Sequence, residues 1–131
     1  SRNIDTRATY PATFQNESLL VVASTSSRGG MSYFSNYGIK NVDVAAPGSG
    51  IYSTVPGNRY SSMSGTSMAS PNTAGLAAEV LSHFPELTPI ELKKVLMDSV
   101  TKISRFSNKV MSGGRIDLDK ALELALINSQ N

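Results

Sequence analysis

The sequence predicts an α/β fold that joins a buried strand to packed helices, and three stretches carry that expectation. Leu19-Leu20-Val21-Val22-Ala23 is a continuous apolar run between polar turns, the pattern of an interior parallel strand buried on both faces. From Ser67 onward, Met68, Ala69, Thr73, Ala74, Leu76, Ala77, Ala78, Val80 and Leu81 leave almost no polar face, so a helix here belongs in a core. Thr88-Pro89-Ile90-Glu91 opens a second helix with a capping threonine, a proline at the first helical position and a glutamate that completes a capping box.

Composition bounds the rest. With 131 residues, 40% of them hydrophobic, the chain supports one core, burying roughly 65% of its unfolded surface if it folds alone. It is one domain or part of one. Twelve basic and ten acidic residues give a net charge of +2, and the basic residues are dispersed rather than gathered in a stripe with aromatics, which argues against a nucleic-acid partner. Without cysteine there is no disulfide, no thiol nucleophile and no thiolate metal site. There is no membrane-length apolar run and no signal-peptide pattern. A start at Ser1-Arg2-Asn3 without methionine leads us to expect that other residues precede it.

In chain order, Ser1 to Gln15 reads as a loop whose best-ordered part is Tyr10-Pro11-Ala12-Thr13-Phe14, where a proline is flanked by aromatics. Asn16-Glu17-Ser18 matches a glycosylation acceptor, which matters only in a eukaryotic secretory context. Ser24 to Met31 is a surface turn after the first strand, and Phe34 and Tyr37 anchor the next loop. Val42, Val44 and Ala45 form a short strand stopped by Pro47-Gly48. Gly50 to Thr54 is another strand, and Pro56-Gly57-Asn58 turns it into an antiparallel partner that delivers the chain to Gly65 and Ser67. The helix opened by Thr88 runs to about Val100, packing through Leu92, Val95, Leu96 and Ser99, with Lys93 and Lys94 on a solvated face. Thr101 to Ser112 is polar and expected to loop out. Gly113 to Ile116 is a turn and short extended piece, and Asp117 caps a last helix with Leu118, Ala121, Leu122 and Ala125 on one side. Asp117 and Asp119 suit the helix dipole better than acid/base chemistry.

Ser67 is the candidate reactive residue. Gly65 permits a tight or left-handed backbone, and a serine at a helix start sits beside unpaired N–H groups and the positive end of the dipole, which favour developing negative charge. For a lone Gly-x-Ser, a plain helix cap is the commoner explanation. The whole segment Gly65 to Gly75, however, resembles the nucleophile signature of the subtilisin-like serine proteases, the subtilases. Phe34-Ser35-Asn36-Tyr37-Gly38 with Val42-Asp43-Val44-Ala45-Ala46-Pro47-Gly48, and then Ile51-Tyr52-Ser53-Thr54, resemble the family's approach to that signature. The likeness extends over nearly the whole chain.

The resemblance implies that residues 1–131 are the C-terminal part of a subtilase catalytic domain, incomplete at the N-terminal side, an α/β fold with a mainly parallel sheet flanked by helices. Ser67 would be the nucleophile. Ala8, Thr9 and Tyr10 would border the primary specificity pocket, and Ser64, Gly65 and Thr66 would contact bound peptide, with a turn role for Ser64 equally open. The family's base, acid and oxyanion asparagine lie in earlier motifs absent here. His83, the sole histidine, follows Ser67 by sixteen residues on the same predicted helix, about 20 Å or more away at about 1.5 Å per residue, too far to be the base. Asp43 sits in the wrong motif to be the acid. Asn72 departs from the family's usual histidine, a packing residue there. The expectation is therefore a serine endopeptidase acting on polypeptides through an acyl-enzyme once the upstream part of the domain completes it, with the isolated chain inactive. A non-catalytic peptide-binding or assembly module retaining the fold is the second reading. The resemblance further implies an extracellular or cell-envelope setting, no cofactor or metal in this chain, and room for calcium in the complete domain. An uncovered strand and helix are expected to bind the upstream part or to drive self-association.

Overall fold

The computed structural model describes residues 1–131. Two strands, β1 (Val22–Thr25) and β2 (Val44–Pro47), form the centre of the fold, paired in parallel with Val22 opposite Val44 and Thr25 opposite Pro47. A hairpin follows, β3 (Ile51–Val55) and β4 (Arg59–Met63), then the 18-residue helix α1 (Thr66–His83) and the 10-residue helix α2 (Pro89–Asp98). The short strands β5 (Thr101–Lys102) and β6 (Gly114–Arg115) bracket an irregular segment, and α3 (Leu118–Ser129) closes the chain. The main sheet has the order β1-β2-β6-β5, with β6 parallel to β2 and β5 antiparallel to β6; the hairpin is a separate two-stranded sheet.

Strand alternation divides the core. Ala23 and Ala45 point to one face of the sheet, where Ile4, Val42, Phe106 and Val110 cover them; Val44 and Ala46 point to the other, against Ala69 of α1, Val100 and Ile116. A third cluster, Val80, Val95, Leu96, Ala121 and Ala125, lies between the three helices. Helices thus cover one face and irregular chain covers the other.

Several expectations shift on this frame. The first strand runs over Val22–Thr25 rather than Leu19 to Ala23, and within these residues it is an edge strand of the sheet, the uncovered strand expected above. Only Ala69, Thr73 and Val80 of α1 are buried, so its apolar surface exceeds what this chain covers. Thr101 to Ser112 does not loop out: a turn of 3-10 helix at Ser104–Phe106 drives Phe106 into the core, with Val110 beside it, both fully buried. Lys93 is not on a solvated face. Its Nζ donates to the Leu19 carbonyl at 2.7 Å and lies 3.5 Å from buried Asp43, whose carboxylate also accepts the Val21 N–H at 2.7 Å. Asp43 therefore fastens β1, β2 and α2 together.

The local signals read from composition otherwise hold. Thr88 and Glu91 form the reciprocal capping box, and Asp117 accepts from the Lys120 N–H. The hairpin turns through Gly57 and Asn58, both at positive φ (86° and 56°), a conformation that glycine and asparagine tolerate best. The N-terminal loop is pinned by buried Ile4 and by Asp5, whose carboxylate accepts from the backbone N–H groups of Lys40 and Asn41 at 3.0 and 2.9 Å.

Candidate active site

Ser67 is the second residue of α1, and its side chain is exposed. The cap position is occupied by Gly65, and no side-chain hydrogen bond caps the helix, so Ser67 is not the capping serine of the plainer reading. Gly65 has φ 164° and ψ 160°, an extended conformation rather than the left-handed one its identity invites. The first helical bonds run from the Met68 and Ala69 N–H groups to the Gly65 carbonyl at 3.0 and 3.4 Å. The N–H groups of Thr66 and Ser67 stand ahead of those bonds, free to donate at the positive end of the helix. Four residues on, Pro71 has no N–H to offer the Ser67 carbonyl, and the helix continues through it.

The approach to α1 is held by a tight turn. Gly65 N–H donates to the Gly48 carbonyl at 2.8 Å, and Gly50 N–H donates to Ser64 Oγ at 2.8 Å. A methyl group at Gly48 would lie 2.7 Å from the Gly65 carbonyl and 3.0 Å from the Ala69 Cβ, and would collide with Ser24 Oγ. Only glycine lets β2 pass this close beneath the helix start. Asn72, one turn beyond Ser67, directs its amide to the Pro47 carbonyl at 3.4 Å and so ties the same two segments.

Ser67 stands between two open grooves of about 440 Å³ each. One is floored by Leu19 to Val22 and bordered by Pro11 and Ala12; the other is walled by the inner face of the hairpin, Met63 and Met68. Of the loop residues singled out for a specificity pocket, Ala8, Thr9 and Tyr10 do not line the groove that reaches Ser67. Their successors Pro11 and Ala12 do, while Tyr10 packs against Phe14 with the rings tilted and their centroids 4.8 Å apart, and is largely exposed. Thr9 Oγ1 is buried without a hydrogen-bond partner. The sequence offered one signal for Pro11 and Ala12, the proline between aromatics. It offered none for Asn72 as a tie to Pro47.

His83 ends α1 and hydrogen-bonds Glu79 at 3.3 Å on an exposed surface. Asp43 is fully committed to Val21 and Lys93. No titratable side chain of the chain reaches Ser67 Oγ within hydrogen-bonding range, and no three His, Asp or Glu side chains converge. The geometry supplies an exposed hydroxyl, two oriented N–H groups and flanking grooves, with no base beside them.

The profile of the subtilase family of peptidases matches residues 1–115. The chain is 36% identical to subtilisin-like protease 1 of Plasmodium berghei, an alignment taking in 98% of this chain and 22% of that protein. It is 37% identical to a thermostable alkaline protease of Halalkalibacterium halodurans, over 81% of this chain and 29% of that one. Among solved structures, a protease of Pseudoalteromonas arctica superposes with a TM-score of 0.77 at 32% identity, covering 88% of this chain and 38% of its own. The A-subunit of the AB5 toxin from E. coli does so with a TM-score of 0.84 at 26% identity, covering 95% and 47%. The chain therefore spans less than half the length of each of these relatives.

Proposed function

This chain belongs to the subtilases, a family of serine proteases, and from that membership we propose that it carries the nucleophile of a serine endopeptidase completed by residues outside these 131. The observation that supports it most is Ser67 itself: an exposed hydroxyl at the second position of α1, uncapped, with its own N–H unpaired. In the proposed reaction Ser67 Oγ attacks the carbonyl carbon of a polypeptide, its proton passing to a histidine from the upstream part of the domain. The carbonyl oxygen takes up the negative charge, and the Ser67 N–H together with an upstream asparagine binds it, the dipole of α1 assisting. The amine leaves with the proton, and water then releases the acyl group from Ser67. Ser64, Gly65 and Thr66 run beside the bound peptide, and the loop of Ala8, Thr9 and Tyr10 borders the primary pocket, meeting the groove beside Ser67 through its successors Pro11 and Ala12. An extracellular or cell-envelope setting accompanies this reading.

The test is fluorophosphonate labelling with mass-spectrometric location of the adduct. In the complete domain the label is expected on Ser67, and Ser67→Ala should abolish labelling and lower hydrolysis by on the order of 10⁴-fold or more. The 1–131 chain alone is expected to show no Ser67-dependent turnover, since an unassisted serine is a weak nucleophile. A label on another residue of the folded domain would overturn the assignment and favour a non-catalytic, peptide-binding module.

A further inference from the structure

Behind the turn that precedes Ser67 lies a chain of serine hydroxyls that the proposed reaction does not use. Ser24 Oγ is 2.8 Å from Ser32 Oγ, and Ser32 Oγ is 2.7 Å from Ser49 Oγ. Ser24 and Ser32 are buried; Ser49 is half-buried. A fourth serine, Ser35, anchors the inner end, accepting the Ser24 N–H at 2.9 Å while donating to the Asn36 carbonyl at 2.9 Å. A hydroxyl carries one proton and can accept two, so buried Ser32, whose Oγ bonds only Ser24 and Ser49, uses its own proton only by donating to one of them while accepting from the other. Such a line is cooperative, and breaking its middle strands a polar atom on each side.

What the outer end holds is the point. Ser49 sits between Gly48, whose carbonyl receives the Gly65 N–H, and Gly50, whose N–H is held by Ser64 Oγ. The inner end packs against the same turn, since Ser24 Oγ occupies the space that a side chain at Gly48 would need. We propose that the Ser24–Ser32–Ser49 relay is a positioning device that fixes the Gly48-Ser49-Gly50 turn and, through it, Ser64 and Gly65 at the entrance to α1, with Ser32 as its positioning residue. The catalytic half of this inference rests on the protease reading above; the structural half does not. Ser32 touches no reacting atom. It acts through the turn on where the first residues of the helix stand, and misplacement of that kind is felt in turnover more than in affinity.

The experiment uses the complete domain and two readouts. Hydrogen exchange over Gly48 to Gly50 and at Gly65 should quicken by roughly 10-fold in Ser32→Ala, with α2 and α3 unchanged. The turnover number should fall by about 10-fold with KM within about two-fold, and Ser32→Thr, which keeps the hydroxyl, should recover part of the loss. Ser49→Ala, at the half-buried end, tests the same line without a buried cavity and should move both readouts in the same direction. A core variant, Val110→Ala, calibrates general loosening. Exchange at Gly65 unchanged in both serine variants would overturn the inference, as would a rise spread evenly over the molecule to the extent seen in Val110→Ala. Faster exchange at Gly65 with an unaltered turnover number would overturn the link to Ser67. If the parent fails to label at Ser67, the protease reading falls, and the exchange measurement still decides whether the relay holds the turn.

Discussion

Asp117 shows how a single side chain couples the last helix to pH. Its carboxyl is held below the usual aspartate range, first by the Thr101 hydroxyl at 2.6 Å, then by the Lys120 N–H, with the charges of Lys120 and Arg115 adding and partial burial opposing. A carboxyl that ionises more readily in the folded state stabilises the fold above its unfolded pKa of about 3.9, and that contribution is lost as pH falls through the lower folded value. Thermal unfolding of Asp117→Asn should therefore show a shallower loss of stability between about pH 5 and pH 2 than the parent, because asparagine keeps the cap and removes the charge. An identical slope would sink this assignment. At this scale the sequence was legible where chemistry is local: the caps formed by Asp117 and Thr88 act within three residues of themselves, whereas Asp117's other partner, Thr101, lies sixteen residues away. It was not legible for Lys93, whose partners Leu19 and Asp43 come from distant segments, nor for Ser24, Ser32 and Ser49, ordinary surface-type residues until the fold brings them together.

Elements were readable where they carry their own punctuation. The capping box, the Pro-Gly-Asn turn and the start of α1 are each written in a handful of consecutive residues, and each forms. Phe106 and Val110 lack any period, and nothing short of the folded sheet, with Ala23 and Ala45 awaiting cover, shows that they belong inside. The contact of β2 with α1 yields a prediction of its own. Gly48→Ala in the complete domain should cost about 1–3 kcal/mol in urea unfolding, since the new methyl group meets the Gly65 backbone and the Ala69 side chain, which have little room to move. Labelling of Ser67 should fall with it. An unchanged unfolding midpoint would mean that the turn yields freely and does not brace the helix.

For the molecule as a whole, the main consequence lies in what these residues leave uncovered. Leu20, Val22, Ala74, Ala77, Pro89 and Leu92 line an open groove of about 250 Å³ beside β1, and Ala74 and Ala78 of α1 are exposed. Apolar surface of this kind, next to an unpaired strand edge, drives association. The 1–131 chain is expected to self-associate, to stay partly unfolded, or to bind the upstream part when it is added. Light scattering and hydrogen exchange would check this: a monodisperse monomer across the micromolar range, strongly protected over Leu19 to Ala23 and Ser67 to Leu81, would show that the chain closes its own core.

The open edge of β1 is also shorter than it looks. Successive residues of a strand turn their amides to opposite sides, so Val22 and Ser24 face the same way, and Ser24 is already occupied: its N–H by the Ser35 hydroxyl and its carbonyl by the Ser32 N–H at 2.9 Å. A strand arriving alongside β1 can extend its ladder to Val22 and no farther without breaking both bonds. The serines thus act as a buffer stop, fixing where an incoming strand must turn away and penalising a pairing that slips past it by a single repeat.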